Sequence, residues 1–180
     1  EFKDRSFYGI GRRWDLDMFE EVDYKAQTWE KRLLELAHRK GNLHRFSGMD
    51  YWIFPKLLNF NMPPFAVGRP GYDSWLVYKA REMGIPIVDC SKIIQVIHQN
   101  HYYPQSKDMN YDTELERNVL LAGGYANLMT IYEATLQLDK IGVTNLGFLR
   151  NIISKLAMNI FWRKLKAFKR NSRFHVKKPF

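Results

Sequence analysis

Two runs decide the fold: Gly48-Met49-Asp50-Tyr51-Trp52-Ile53-Phe54-Pro55-Lys56, and Pro63-Pro64-Phe65-Ala66-Val67-Gly68-Arg69-Pro70-Gly71-Tyr72-Asp73-Ser74-Trp75-Leu76. The first is a short apolar run stopped by proline, which reads as a buried strand over Tyr51 to Phe54, since proline cannot donate to a ladder. The second is a proline-rich loop that breaks at Pro70-Gly71 into a helix from Tyr72 to Met83, closed by Gly84. Its inner side is read as Trp75, Leu76, the stem of Lys79 and Met83. Ile85 to Asp89 and Ile93 to His98 follow as strands, and the region closes on Ile97-His98-Gln99-Asn100-His101. Aromatics, glycines, prolines and single charges mixed at this density characterise loops that hold ligands on a rigid scaffold.

Outward from this centre, Ser6 to Gly11 reads as a glycine-interrupted strand entering a polar loop, Arg12 to Asp17. Trp29, Leu33, Leu34 and Ala37 recur at helical spacing within Tyr24 to Lys40, with Asp23 as cap and Gly41 as stop. Thr113 to Leu121 is a further helix, capped by Asp112 and ended by Gly123-Gly124. Ile131 to Leu138 is either a strand or a return segment. Residues 146–169 place Leu149, Ile152, Ile153, Leu156, Ile160 and Phe161 on one face and bases on the other. Strands alternating with helices predict an α/β protein, a mixed sheet flanked by helices.

At 180 residues the chain is one domain's worth, enough to bury roughly two thirds of its unfolded surface. With 46% hydrophobic and 15% aromatic residues it is too apolar for a disordered chain, and no charge-free run is long enough to cross a bilayer. Cys90 is the only cysteine, which excludes an internal disulfide and suits a cytoplasmic setting; no signal-peptide pattern or Asn-x-Ser/Thr site is present. The net charge of +9 is concentrated at one end. Residues 146–180 hold ten bases and no acid, whereas residues 1–145 hold 18 bases against 19 acids. We therefore expect a body over 1–145 and a basic amphipathic helix and tail over 146–180, docked peripherally at an anionic membrane face or on a partner; no nucleic-acid reading motif accompanies it.

Four ordered blocks carry a resemblance: Gly11-Arg12-Arg13-Trp14-Asp15-Leu16-Asp17, Gly48 to Pro55, Pro63 to Leu76, and Ile97 to His101, joined by Asn118 to Gly124. Over about Phe7 to Gly142 the chain resembles glycosyltransferases of the nucleotide-diphospho-sugar transferase (GT-A) type. More loosely it is similar to the β-1,4-galactosyltransferase layout, with Gly48 to Asp50, Arg69 to Asp73 and His98 in the corresponding order. The resemblance implies a GT-A-like sheet, a nucleotide-sugar donor, a glycan or glycolipid acceptor and a divalent metal, Mn or Mg. The blocks are those that follow the nucleotide-binding half, so the chain, which opens on Glu1 without an initiator Met, is expected to be an acceptor-side piece of a longer protein. Asp15-Leu16-Asp17 spells Asp-x-Asp but is read as a loop or cap, not as the metal motif.

The resemblance implies Asp73 as catalytic base, taking the proton of the attacking hydroxyl; the residues alone equally allow a helix cap. His98 is implied as a metal ligand that would neutralise a diphosphate, beside His101. Two histidines three apart on an extended strand point to opposite faces, so only one is expected to ligate unless the strand has ended. Asp50, Tyr51, Trp52, Arg69, Trp75, Gln99, Asn100 and His101 complete the expected substrate-binding set. Carboxylate and guanidinium would hold hydroxyls or phosphate, and aromatic faces would stack on sugar C–H surfaces. For both tryptophans the ordinary alternative is a place in the core. An interaction module without catalysis is the alternative function, with the aromatic loops as a binding patch.

Overall fold

The computed structural model describes residues 6–101, 110–146 and 156. The chain divides into two compact units, Glu1–Leu146 and Gly147–Phe180. Of the second only Leu156 is described, in helical conformation and largely exposed, so the expected basic amphipathic helix lies outside the described residues.

The first unit is α/β: a mixed seven-stranded sheet with three helices. Four of the other six strands pair with β1 (Tyr8–Leu16). On one side β1 pairs antiparallel with β2 (Asn42–Leu43) and β3 (Met49–Ile53). On the other it pairs parallel with β4 (Ile87–Asp89) along its first half and β5 (Val96–Gln99) along its second. β6 (Leu136–Asp139) extends the sheet parallel to β4, and β7 (Gly142–Asn145) returns antiparallel on β6. The segment expected as a polar loop, Arg12 to Asp17, is thus largely strand. A ladder on each side satisfies its backbone, and its charges are paired with one another, so polarity does not end the strand.

The first helix is α1 (Trp29–Lys40), shorter than expected: Asp23 caps only a turn, accepting from Lys25 N–H at 3.0 Å, and Thr28 holds the N-cap position. Its stop at Gly41 stands, the Gly41 N–H donating to Ala37 O. Ala37 is fully buried, and Trp14 packs on His38 with ring centroids 4.9 Å apart. The next helix, α2 (Tyr72–Glu82), starts behind Gly71 at φ 111°, a left-handed conformation glycine alone adopts cheaply. Its buried side is Ser74, Trp75, Val77 and Ala80; Met83 is half exposed and Lys79 pairs with Glu82, which corrects the predicted inner face. The third helix, α3 (Asn110–Leu121), begins two residues ahead of Asp112, the expected cap. The uncertain run after Ile131 resolves into a 3-10 turn (Ile131–Glu133) followed by β6, and β7 went unpredicted.

The core gathers Tyr8 and Ile10 of β1, Val88 of β4, Trp75, Val77 and Ala80 of α2, and Ile131. Fully burying an aliphatic side chain contributes about 1.5–3 kcal/mol, so these positions dominate the stability of the unit.

Candidate functional site

Strand alternation sends Arg13 and Asp15 to one face of β1 and Ile10, Arg12 and Trp14 to the other. The register with β3 runs Gly9↔Ile53, Ile10↔Trp52 and then Arg12↔Met49, so Asp50 and Tyr51 together stand opposite Gly11. That is a β-bulge, with the extra residue in β3. On a regular strand Asp50 would share a face with Trp52; the bulge turns it instead toward Arg13. Tyr51 also depends on Gly11, because a Cβ there would coincide with its phenol ring, and the Tyr51 hydroxyl donates to Ile94 O at 3.3 Å.

The result is a polar ladder across three strands. His44 Nδ1 lies 2.5 Å from Asp15 Oδ2, Arg13 Nε donates to Asp15 Oδ1 at 2.8 Å, and Arg13 Nη1 donates to Asp50 Oδ1 at 2.7 Å. Asp50 Oδ2 in turn is 3.1 Å from His98 Nδ1. Burial works against the Arg13 charge, but Asp50 and Asp15 more than offset it and push its pKa further up. β5 ends at Gln99, so alternation no longer separates the two histidines: the His98 and His101 rings lie 5.5 Å apart.

Asp73 is in the first turn of α2. Its Oδ1 accepts from Ser74 N–H at 2.8 Å and from Gly71 N–H at 3.2 Å, so it does tie off backbone at the helix start. Burial raises its pKa, the backbone donors oppose that, and the charge of Asp50 adds to the rise. Tyr72 is raised by burial, by Asp73 and by Asp50, and its ring sits 6.0 Å from that of Trp52. Trp52, Tyr72 and Asp73 therefore meet at one corner, at the mouth of α2, while Asp50 stands on the Arg13 face of β3 and reaches Tyr72 and Asp73 only through its charge. Beneath it Tyr8 is wholly buried, its hydroxyl without a hydrogen-bond partner; burial, Asp73 and Tyr72 all raise its pKa. The Trp52 Nε1–H is likewise buried without an acceptor.

The expected set is thereby divided. Asp50, Trp52, Asp73, His98 and His101 lie around the corner or the ladder. Tyr51 points to the glycine side of β1. Trp75 is a core residue, 6% exposed and edge-on to Phe65 at 5.3 Å. Arg69 is paired with Glu114 of α3. Gln99 and Asn100 clasp the end of β1: Gln99 Nε2 donates to Met18 O, Asn100 N–H to Leu16 O, and Asn100 Nδ2 to Asp17 Oδ1. Asp15 is neither loop nor cap but a rung of the ladder. Sequence reasoning missed Arg13, Asp15, His44, Tyr8 and Tyr72. The glycine interruption at Gly11 was the available signal, since a lone glycine in a strand marks a bulge or a close approach.

Asn118, also unassigned from sequence, is fully buried and fixes the loop that leads into the corner. Its Oδ1 accepts from Ala66 N–H, and its Nδ2 donates to Ala66 O and Pro70 O.

The chain was compared with protein-family models, with curated proteins and with solved structures, and nothing matches.

Among the described residues no three His, Cys, Asp or Glu side chains converge as a metal-binding group. His98, with one ring nitrogen against a carboxylate, has the arrangement common in metal-ligating histidines, but it would be one ligand where a protein site needs several. The described residues alone do not make up a resident metal site. An open depression of about 380 Å³ lies elsewhere, lined by Lys92, Ile93, Asp139, Lys140 and Ile141; none of the expected site residues borders it.

Proposed function

We propose that this chain is the acceptor-side part of a GT-A-like glycosyltransferase, moving a sugar from a nucleotide-sugar donor to a hydroxyl of a glycan or glycolipid. One observation carries the reading: the half-buried Asp73 carboxylate stands at the mouth of α2 with Oδ1 held by two backbone N–H groups, while burial pushes its pKa up. A base fixed through one oxygen presents the other in a defined direction. A raised pKa brings its proton affinity toward that of a useful general base.

In the proposed step the acceptor hydroxyl lies against Asp73 Oδ2. Its oxygen forms a bond to the anomeric carbon, the bond from that carbon to the diphosphate breaks, the electron pair leaves with the nucleoside diphosphate, and the proton passes to Asp73. Trp52 and Tyr72 supply ring faces for the sugar. The divalent metal and the diphosphate site belong to this proposal only as requirements of the donor.

A second reading, a binding module without catalysis, has its own support. Asp73 does cap its backbone, Arg69 is committed to Glu114, and Trp75 is core. Under either reading the ten bases of residues 146–180 favour peripheral contact with an anionic membrane. Among the described residues no helix is long and apolar enough to cross one.

The deciding experiment incubates the protein, with any upstream portion of its gene product, with UDP- or GDP-sugars, Mn²⁺ and a panel of glycosides. Acceptor-dependent release of nucleoside diphosphate supports transfer. Glycoside binding with no turnover of any donor supports the binding module.

A further inference from the structure

We infer that the depression lined by Lys92, Ile93, Asp139, Lys140 and Ile141 is the face by which the folded body docks on a bilayer of anionic lipid. The inference rests in part on the proposed membrane contact of residues 146–180 and adds a second, folded contact to it. It does not depend on the transferase reading.

Two turns build the depression. β4 and β6 are parallel neighbours, and a Lys-Ile pair follows the carboxyl end of each, Lys92-Ile93 after β4 and Lys140-Ile141 after β6. The first pair is held in a tight turn, in which Ile93 N–H and Ile94 N–H both donate to Cys90 O, at 3.0 and 2.9 Å. The second is the two-residue tip of the β6–β7 hairpin, where Asp139 pairs with Gly142 and Asp139 Oδ1 accepts from Ile141 N–H at 3.0 Å. Lys92 Nζ, 4.0 Å from Asp139 Oδ2, ties one turn to the other. Both pairs thus hold fixed places at one end of the sheet.

Folding does not account for what they present. Ile141 is 89% exposed and Ile93 41%. A two-residue hairpin turn favours Asn, Asp or Gly, and an aliphatic tip left in water adds nothing to the core. Aliphatic side chains next to lysines suit a bilayer boundary, where the aliphatics enter the acyl layer and the long lysine stems keep their ammonium groups among the headgroups. The charge has the right sign. Two lysines outweigh Asp139, whose oxygens are engaged by Ile141 N–H and Lys92, and Lys140 pairs with no acid among the described residues. The lysines argue against a protein partner, because lysine is depleted from protein–protein interfaces.

Other strongly exposed apolar residues lack this setting. Phe19 is followed by Glu20 and Glu21, which an anionic surface repels. Leu57 lies beyond β3, whose last residue, Ile53, stands beside Gly9 at the end of the sheet where β1 and β4 begin, opposite to the depression. Continuity favours the same surface, since the segment 146–180 with its ten bases follows directly on β7, the second strand of the hairpin.

Cys90 is the only cysteine and is buried, so Ile141→Cys in the full chain can be labelled alone with an environment-sensitive fluorophore. The probes are vesicles of phosphatidylcholine with and without phosphatidylserine, followed by fluorescence and by co-sedimentation. We expect the label at position 141 to brighten and shift to the blue saturably with the anionic vesicles, while the same label in Leu57→Cys stays unchanged. Lys92→Gln with Lys140→Gln should weaken the response about tenfold, and Ile141→Ser should weaken co-sedimentation of unlabelled protein about tenfold as well. The same charge change at Lys25 and Lys31, away from the depression, should alter binding far less. Co-sedimentation with an unchanged label at position 141 overturns the inference and leaves the contact to residues 146–180. A response at position 57 in its place also overturns it, and absence of any sedimentation removes both contacts. A response at position 141 that survives replacement of the bases of residues 146–180 by glutamine leaves the inference standing and removes the tail.

Discussion

The two halves of β1 are built on different principles. Tyr8 to Gly11 is buried throughout, with Tyr8 and Ile10 at 0% exposure, and is held by apolar packing between β3 and β4. Arg12 to Asp15, between β2 and β5, is only half buried, and its side chains are held by partners: Arg13 by Asp15 and Asp50, Asp15 by His44, and Arg12 by His44 O and Leu43 O with its guanidinium over Phe46. The bulge opposite Gly11 marks the change. One strand can therefore anchor a core with one end and carry a polar site with the other, provided an irregularity in its neighbour redirects the side chains between them.

The difference can be broken from the core end first. Ile10→Ala removes a fully buried side chain and should cost about 2–5 kcal/mol, read as a fall in denaturation midpoint without a change in slope. Gly11→Ala tests the hinge: its methyl enters the Tyr51 ring, and displacing that ring should cost about 1–3 kcal/mol while disturbing the Asp50 to His98 contact, seen as a shift of the His98 ring protons. Arg13→Met belongs to the polar end. Its acids keep some exposure, so the loss should be no more than about 1–2 kcal/mol, and it should shrink as salt rises, unlike the loss in Ile10→Ala.

The smallest effect concerns Cys90, beside Gly9 at the apolar end. Burial, with Asp89 adding to it, pushes its thiol up to about 11. Native protein at pH 8 should therefore react with iodoacetamide far more slowly than unfolded protein. A thiol whose pKa is raised by folding holds its proton longer in the native state. Its contribution is accordingly intact below the ordinary thiol range and is lost as pH climbs toward 11.

Most of the apolar half was legible in the sequence. The glycine-interrupted run Ser6 to Gly11, the Pro-Gly entry to α2 and the glycine stops after α1 and α2 report local conformation, which neighbouring residues determine. The polar half was not. Arg12-Arg13-Trp14-Asp15 looks like a loop because charge marks solvent on average; nothing in the run itself shows that His44 and Asp50 arrive from 29 and 37 residues away to pair with it. A bulge likewise depends on register between two strands, which neither strand carries alone. The same limit explains Arg69, whose partner Glu114 is 45 residues distant. It also explains why the pattern suggested that Gln99 and Asn100 meet a ligand, when they fasten the end of β1. The resemblance picked out Trp52 and Asp73 at the corner and Asp50 and His98 on the ladder. The buried Tyr8 hydroxyl and the Tyr72 ring beside Trp52 emerged only with the packing of α2 on the sheet.

Asp73→Asn puts the account to its most direct test. An asparagine oxygen can keep the bonds from Gly71 and Ser74 N–H but cannot take a proton from a hydroxyl. Because folding raises the carboxyl's pKa, the charged form costs stability as pH rises from the ordinary carboxylate range toward the native value; the variant escapes that cost. The account predicts that Asp73→Asn melts at or above the parent temperature at pH 7 and loses sugar transfer by roughly 10²–10⁴-fold. Undiminished transfer in a folded Asp73→Asn protein would contradict it and leave Asp73 as a helix cap alone.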